Sequence, residues 1–133
     1  MMNESGWRIG ARWVLAVFFV VAGINHFISP KIYLGMMPPW LIAPELANLV
    51  SGAAEIVGGL GLLILRSRRM AGWGLIVLLV AVFPANIYVA LQGHTPGLHV
   101  SPLVLWLRLP FQPGLIAWVW WAALKRPTPG ATP

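Results

Sequence analysis

A chain of 133 residues that is 59% hydrophobic and 9% charged lies far outside soluble composition, where roughly a quarter of residues carry charge. The net charge of +6 does not indicate a nucleic-acid partner, because the cations sit at the ends of apolar runs and not in a basic stripe interleaved with polar residues. The chain has no cysteine, which excludes disulfide exchange, thiolate nucleophiles and sulfur-ligated metals.

Four apolar stretches, each about 20 residues long, suffice to cross a hydrocarbon core of roughly 30 Å. They run over 11–27, 46–65, 70–91 and 103–124. The predicted fold is therefore all-α: a polytopic membrane protein built as an antiparallel four-transmembrane-helix bundle. A single membrane domain covers 1–133, and 127–133 form a flexible tail without core-forming residues.

The first span is preceded by Arg8 and Arg12, and ends in "GINHFISP". It has a basic start like a signal peptide but no small-x-small cleavage site, so it is expected to be retained. The loop "ISPKIYLGMMPPWLIAPEL" that follows is rich in proline and apolar residues, and is expected on the bilayer surface or tucked into the bundle.

The second span carries Gly52, Gly58 and Gly59 among many small residues. In lipid, small residues let helix backbones approach and gain packing energy. They are expected to pack helices within the chain, with a homodimer seam as the alternative. Glu55 interrupts this span about 14 Å from its outer end at 1.5 Å per residue. Asn48, Ser51, Gly52, Glu55 and Gly59 recur at helical spacing, which turns Glu55 toward the bundle interior.

The turn "RSRR" is short and makes the second and third spans a tight hairpin. The third span holds Pro84 and Asn86. The fourth holds Arg108, Pro110, Gln112 and Pro113, and is followed by Lys125 and Arg126. Each proline removes an amide donor, so the third and fourth helices are expected to be kinked, freeing the carbonyls of Val80, Trp106 and Leu109. The cations concentrate at both termini and in the inner turn, leaving only Lys31 in the outer loops before Arg108 is reached. The positive-inside rule then places both termini in the cytoplasm, and the bacterial inner (plasma) membrane is the expected location. Tryptophans fall near both proposed interfaces: Trp7, Trp13, Trp73, Trp118, Trp120 and Trp121 on the inner side, Trp40 and Trp106 on the outer.

With alternating helix directions, His26, Glu55, Asn86, Arg108 and Gln112 all fall at the midplane or in the outer half. Two readings compete. In one, Glu55 and Arg108 form a buried ion pair that sets helix register. In the other, the cluster is a polar recess, open from the outer side, for the head group of a small amphipathic ligand. His26, His94 and His99 have no zinc-site spacing, so no metal is expected. No phosphate loop, nucleophile motif or metalloprotease motif is present.

The strings "VLAVFFVVAGINHFISP", "VSGAAEIVGGLGLL", "RRMAGWGLIVLLVAVFPANIYVA" and "LRLPFQPGLIAWVWW", with "GINHF", "PANIY" and "RLPFQ" in order, together resemble the DoxX-like family of small four-helix membrane proteins. The resemblance runs from Arg12 to Trp121. It implies a polar pattern at Asn25, His26, Glu55, Asn86, Arg108 and Gln112, with no catalytic role carried over. Some relatives are named as subunits of quinone-coupled oxidation or redox-defence complexes. Another branch resembles the chaperone that assists assembly of nicotinic acetylcholine receptors. The expected function is non-catalytic: an assembly factor or accessory subunit that binds a membrane protein client or a small lipophilic ligand, as a homodimer. The alternative is a quinone-linked membrane oxidoreductase subunit. A proton-coupled carrier using Glu55 is a third possibility.

Overall fold

A computed structural model describes residues 4–95 and 99–126; the tail expected at 127–133 lies outside the described residues. Four helices are long and apolar enough to cross a membrane. Helix α1 spans Gly6–Ile28, the short α2 Pro30–Gly35, α3 Pro44–Leu63, α4 Arg68–Gln92 and α5 Pro102–Val119, which continues as a π turn, Trp120–Leu124. The protein is thus an all-α membrane bundle with one short extra helix in its first loop.

Proline and glycine set several helix ends. Pro30, Pro44 and Pro102 each open a helix, where the missing amide would have no partner in any case. Ser101 caps α5 by accepting from the amide of Leu103. Gly93, at φ 76°, closes α4 in the left-handed region that favours glycine. Helix α4 continues through Pro84, and α5 through Pro110 and Pro113.

Glycine contacts join the helices. A Cβ on Gly23 would meet the Gly52 carbonyl oxygen at 2.6 Å, and one on Gly52 would meet His26 Cβ at 2.8 Å. Backbones of α1 and α3 are therefore in direct contact, a packing that only small residues permit. Gly59 abuts the carbonyl of Ala16 on the same seam, whereas Gly58 receives Leu75 of α4. All three expected packing glycines thus lie inside the chain, along two different faces of α3.

One end of the bundle is basic. Arg8 donates to the carbonyl of Lys125, Arg12 to that of Ala122 (3.0 Å) and Arg69 to that of Leu124 (3.3 Å). Arg68 donates to the carbonyl of Leu62 (3.2 Å). These carbonyls belong to the last turn of α3 and to the π turn after α5 with its capping residue Lys125, where acceptors lack intrahelical donors and cations are favoured. Glu4 binds Arg12 and Arg68 together. Donation from the Arg12 guanidinium, against the opposing effect of burial, holds the Glu4 carboxyl below its ordinary value of 4.5. With partners for its charge, Arg12 is only 3% exposed. This explains why α1 begins at Gly6, ahead of the residue 11 expected from apolar content alone.

Two apolar clusters divide the interior. Leu15, Phe19, Leu62, Leu75, Leu115 and Val119 belong to the cluster nearer the basic end. Val89, Ala90 and Leu105, with Met36 packed on them, form the distal one. Large apolar side chains such as Val17, Val21, Val57, Val77 and Leu107 point outward, as a lipid-facing surface requires.

Candidate functional site

Between the two clusters lies a cavity of about 300 Å³. Helix α1 contributes Phe18, Phe19, Ala22 and His26; α3 contributes Ser51 and Glu55. Opposite them stand Leu79, Val82, Ala85 and Asn86 of α4, and Arg108, Phe111, Gln112 and Leu115 of α5. Tyr33, Met36 and Met37, from α2 and the loop behind it, roof the distal end. The first loop thus tucks into the bundle. The five polar residues expected to meet all line this one space.

The close α1–α3 seam seats the first polar group. His26 follows Gly23 by one turn, and the Gly23–Gly52 approach brings its ring between Asn48 and Glu55. The Nδ2 of Asn48 donates to the His26 carbonyl (3.1 Å), leaving Oδ1 2.8 Å from His26 Nδ1. Since Oδ1 only accepts, Nδ1 carries a proton. Nε2 then faces Glu55 Oε2 at 3.4 Å. The contact is at ion-pair distance but not in hydrogen-bond geometry, and Glu55 Oε2 is buried without a hydrogen-bond partner.

The Tyr33 ring stacks on His26 with centroids 3.7 Å apart at 20°. Asn25 donates to the Tyr33 hydroxyl at 2.8 Å. Asn25 is itself exposed and does not line the cavity; it steadies the roof from outside.

On the far wall, Asn86 donates to Gln112 Oε1, and Gln112 Nε2 donates to the carbonyl of Leu79. A side chain of α5 thereby serves a carbonyl of α4 in the turn before Pro84, one residue from the Val80 carbonyl expected to need a partner. Arg108 departs from expectation. It forms no ion pair with Glu55; its Nη1 lies 3.5 Å from the sulfur of Met36. The reason is geometric: the α1–α3 glycine seam delivers His26 to Glu55, while Arg108 stands on α5 across the cavity. Glu4 and Glu55 are the acids found in ion pairs among the described residues, and neither pairs with Arg108. The cavity therefore combines a His26–Glu55 contact on one wall with a guanidinium that has no carboxylate within ion-pair distance on the other.

Among the described residues, no three His, Asp or Glu side chains come together as a metal-holding group. His94 is exposed and rests on the carbonyl of Gln92. Sequence patterning did not single out Tyr33, Met36 and Met37, which follow the first span in a proline-rich stretch, or Phe18 and Phe111, which are apolar like their neighbours in the spans. Asn48 carried a signal, since it lies on the Glu55 stripe, but nothing in the spacing tied it to His26.

A family model described as a domain of unknown function, DUF8561, matches residues 15–123. The match covers every cavity-lining residue. No curated protein and no solved structure matches the chain.

Proposed function

The chain belongs to the DUF8561 family, and for it we propose a non-catalytic role in the DoxX-like manner: an accessory membrane protein that holds a small lipophilic ligand by its polar head. The observation that carries this is the cavity of about 300 Å³ at which polar side chains from all four spans converge. That volume is at the lower end of ligand pockets, which run from roughly 300 to 1,000 Å³. Arg108 brings a positive charge with no carboxylate beside it, so the head group presents an anionic or strongly accepting oxygen. Glu55 Oε2, buried and without a donor, accommodates a ligand hydroxyl or N–H. The walls of Phe18, Phe111, Met36 and Leu79 suit the apolar remainder.

A quinone is the second reading. It is favoured by the guanidinium and a carboxyl–imidazole pair facing one space between aromatic side chains. The charge asymmetry of the bundle supports a bacterial inner membrane with the basic end in the cytoplasm. A homodimer or a membrane protein client would be met through the lipid-facing side chains, since Gly52, Gly58 and Gly59 are used within the chain.

The test is to isolate the protein in native lipid within polymer-bounded discs and analyse organic extracts by mass spectrometry. A lipophilic molecule retained near one per chain, lost on Arg108→Gln while helical content and melting are kept, is the expected result. Quinone as that molecule selects the second reading. Extracts carrying bulk lipid alone, identical for parent and variant, would refute ligand binding.

A further inference from the structure

We infer that the cavity is entered sideways from the hydrocarbon of the bilayer, between α1 and α5 past Phe18 and Phe111, and that its occupant is a single-chain amphiphile already dissolved in the membrane. This rests on the ligand-site reading above and specifies where the ligand comes from and which residues admit it.

Among the described residues, the other neighbouring long helices pack directly on one another. Helix α1 packs along α3, α3 against α4, and α4 against α5, but α1 meets the last span chiefly at the π turn. Toward the basic end, Leu15, Phe19, Leu115 and Val119 fill the interior. Toward the distal end, Met36 packs on Val89, Ala90 and Leu105, and Tyr33 is stacked on His26. What remains is the seam between α1 and the α-helical part of α5. It is bridged by Phe18 and Phe111, whose rings meet edge-on at a centroid distance of 6.5 Å.

Both phenylalanines line the cavity and yet are 43% and 55% exposed, so each has one face inside and one outside. At 1.5 Å per residue both lie within about 3 Å of the midpoints of their spans, a depth occupied by acyl chains and not by water. An aqueous solute does not reach such an opening, whereas a membrane-dissolved chain does. An edge contact between two aromatic rings is weak, and thermal motion disrupts it readily. Arg108 lies one turn from Phe111 on the distal side. A head group passing the two rings therefore meets the guanidinium and the Glu55 carboxylate while its chain stays in the opening. A diacyl lipid is too bulky to follow.

The absence of native cysteine allows a test that needs no identified ligand. Ser51→Cys places one thiol on the cavity wall. The protein is reconstituted in phosphatidylcholine vesicles and its labelling rate measured with N-dodecylmaleimide carried in the bilayer and with a charged sulfonate methanethiosulfonate in the water. The expected result is labelling by the lipid-borne reagent, about tenfold faster when Phe18 and Phe111 are both alanine and about tenfold slower when both are tryptophan, a barrier change of roughly 1.4 kcal/mol each way. The charged reagent reacts slowly throughout. Lipid-borne rates equal across the three proteins, or faster reaction with the charged reagent, overturn the proposal. If Ser51→Cys does not fold, Ala22→Cys on α1 provides the same reading. Ligand retention with the lateral route shut removes this proposal alone; a lateral route without any retained ligand removes the functional reading and leaves the opening in place.

Discussion

His26 of α1 and Glu55 of α3 face each other with Nε2 and Oε2 3.4 Å apart, while the other ring nitrogen of His26 is committed to Asn48. Two ionisable groups on different helices thus stand in contact in the bundle interior. A double-mutant cycle on unfolding stability, with His26→Gln and Glu55→Gln, is expected to give a coupling of about 0.5–3 kcal/mol, the range for residues in contact. The matching cycle for Glu55→Gln with Arg108→Gln should give a smaller value, because no ion pair joins those two. The reverse ranking would mean that Glu55 is partnered across the cavity after all.

The α1–α3 seam predicts a sharp positional contrast among glycines. Gly23→Ala drives a Cβ to 2.6 Å from a backbone oxygen, so the helices must separate at a cost of about 1–3 kcal/mol, as for other overpacked sites. Gly74→Ala meets nothing within 4 Å and should leave thermal stability unchanged or slightly raised. Equal melting temperatures for the two variants would contradict direct backbone contact between α1 and α3.

Gln112 answers two needs at once, accepting from Asn86 and donating to the Leu79 carbonyl. Gln112→Leu removes the partner of the Asn86 amide and a second donor from the Leu79 carbonyl, an expected loss of about 1–3 kcal/mol. Adding Asn86→Leu removes one orphaned group together with its desolvation cost, so the double variant should recover part of the loss. Chemical unfolding in detergent measures this. Simple addition of two penalties would show that the amides act independently.

At the basic end, Glu4 has a carboxyl held below 4.5. A group whose folded value is depressed stabilises the fold above its unfolded value and ceases to do so as pH falls through the folded one. Glu4→Gln should therefore melt earlier than the parent at neutral pH. The difference should shrink below pH 4.5 and vanish once Glu4 is protonated. Melting curves across that window decide the point; a constant offset would assign the loss to packing.

Hydropathy and charge made the four spans legible, because a membrane helix must be apolar for most of its length and little else in the chain is. Orienting the Glu55 stripe inward was equally direct, since a carboxylate facing lipid is costly. Its partner was not legible. Depth along a helix can be counted from sequence, but which helix stands beside which depends on where backbones approach, and Gly23 gave no sign that α1 would lie against Gly52. Arg108 matched Glu55 in charge and depth and was still on the wrong side of the space. Arg8 and Arg12 were legible as topology markers yet not as buried residues, because the carbonyls they serve belong to the other end of the chain.

The packing toward the basic end has a consequence for what kind of device this is. Leu15, Leu115 and Val119 fill the bundle there, and behind them the arginines occupy helix-end carbonyls that could otherwise have hydrated a polar route. Toward the basic end the cavity is walled by packed apolar side chains. Under the proposed function, a ligand held there would leave by the side on which it entered.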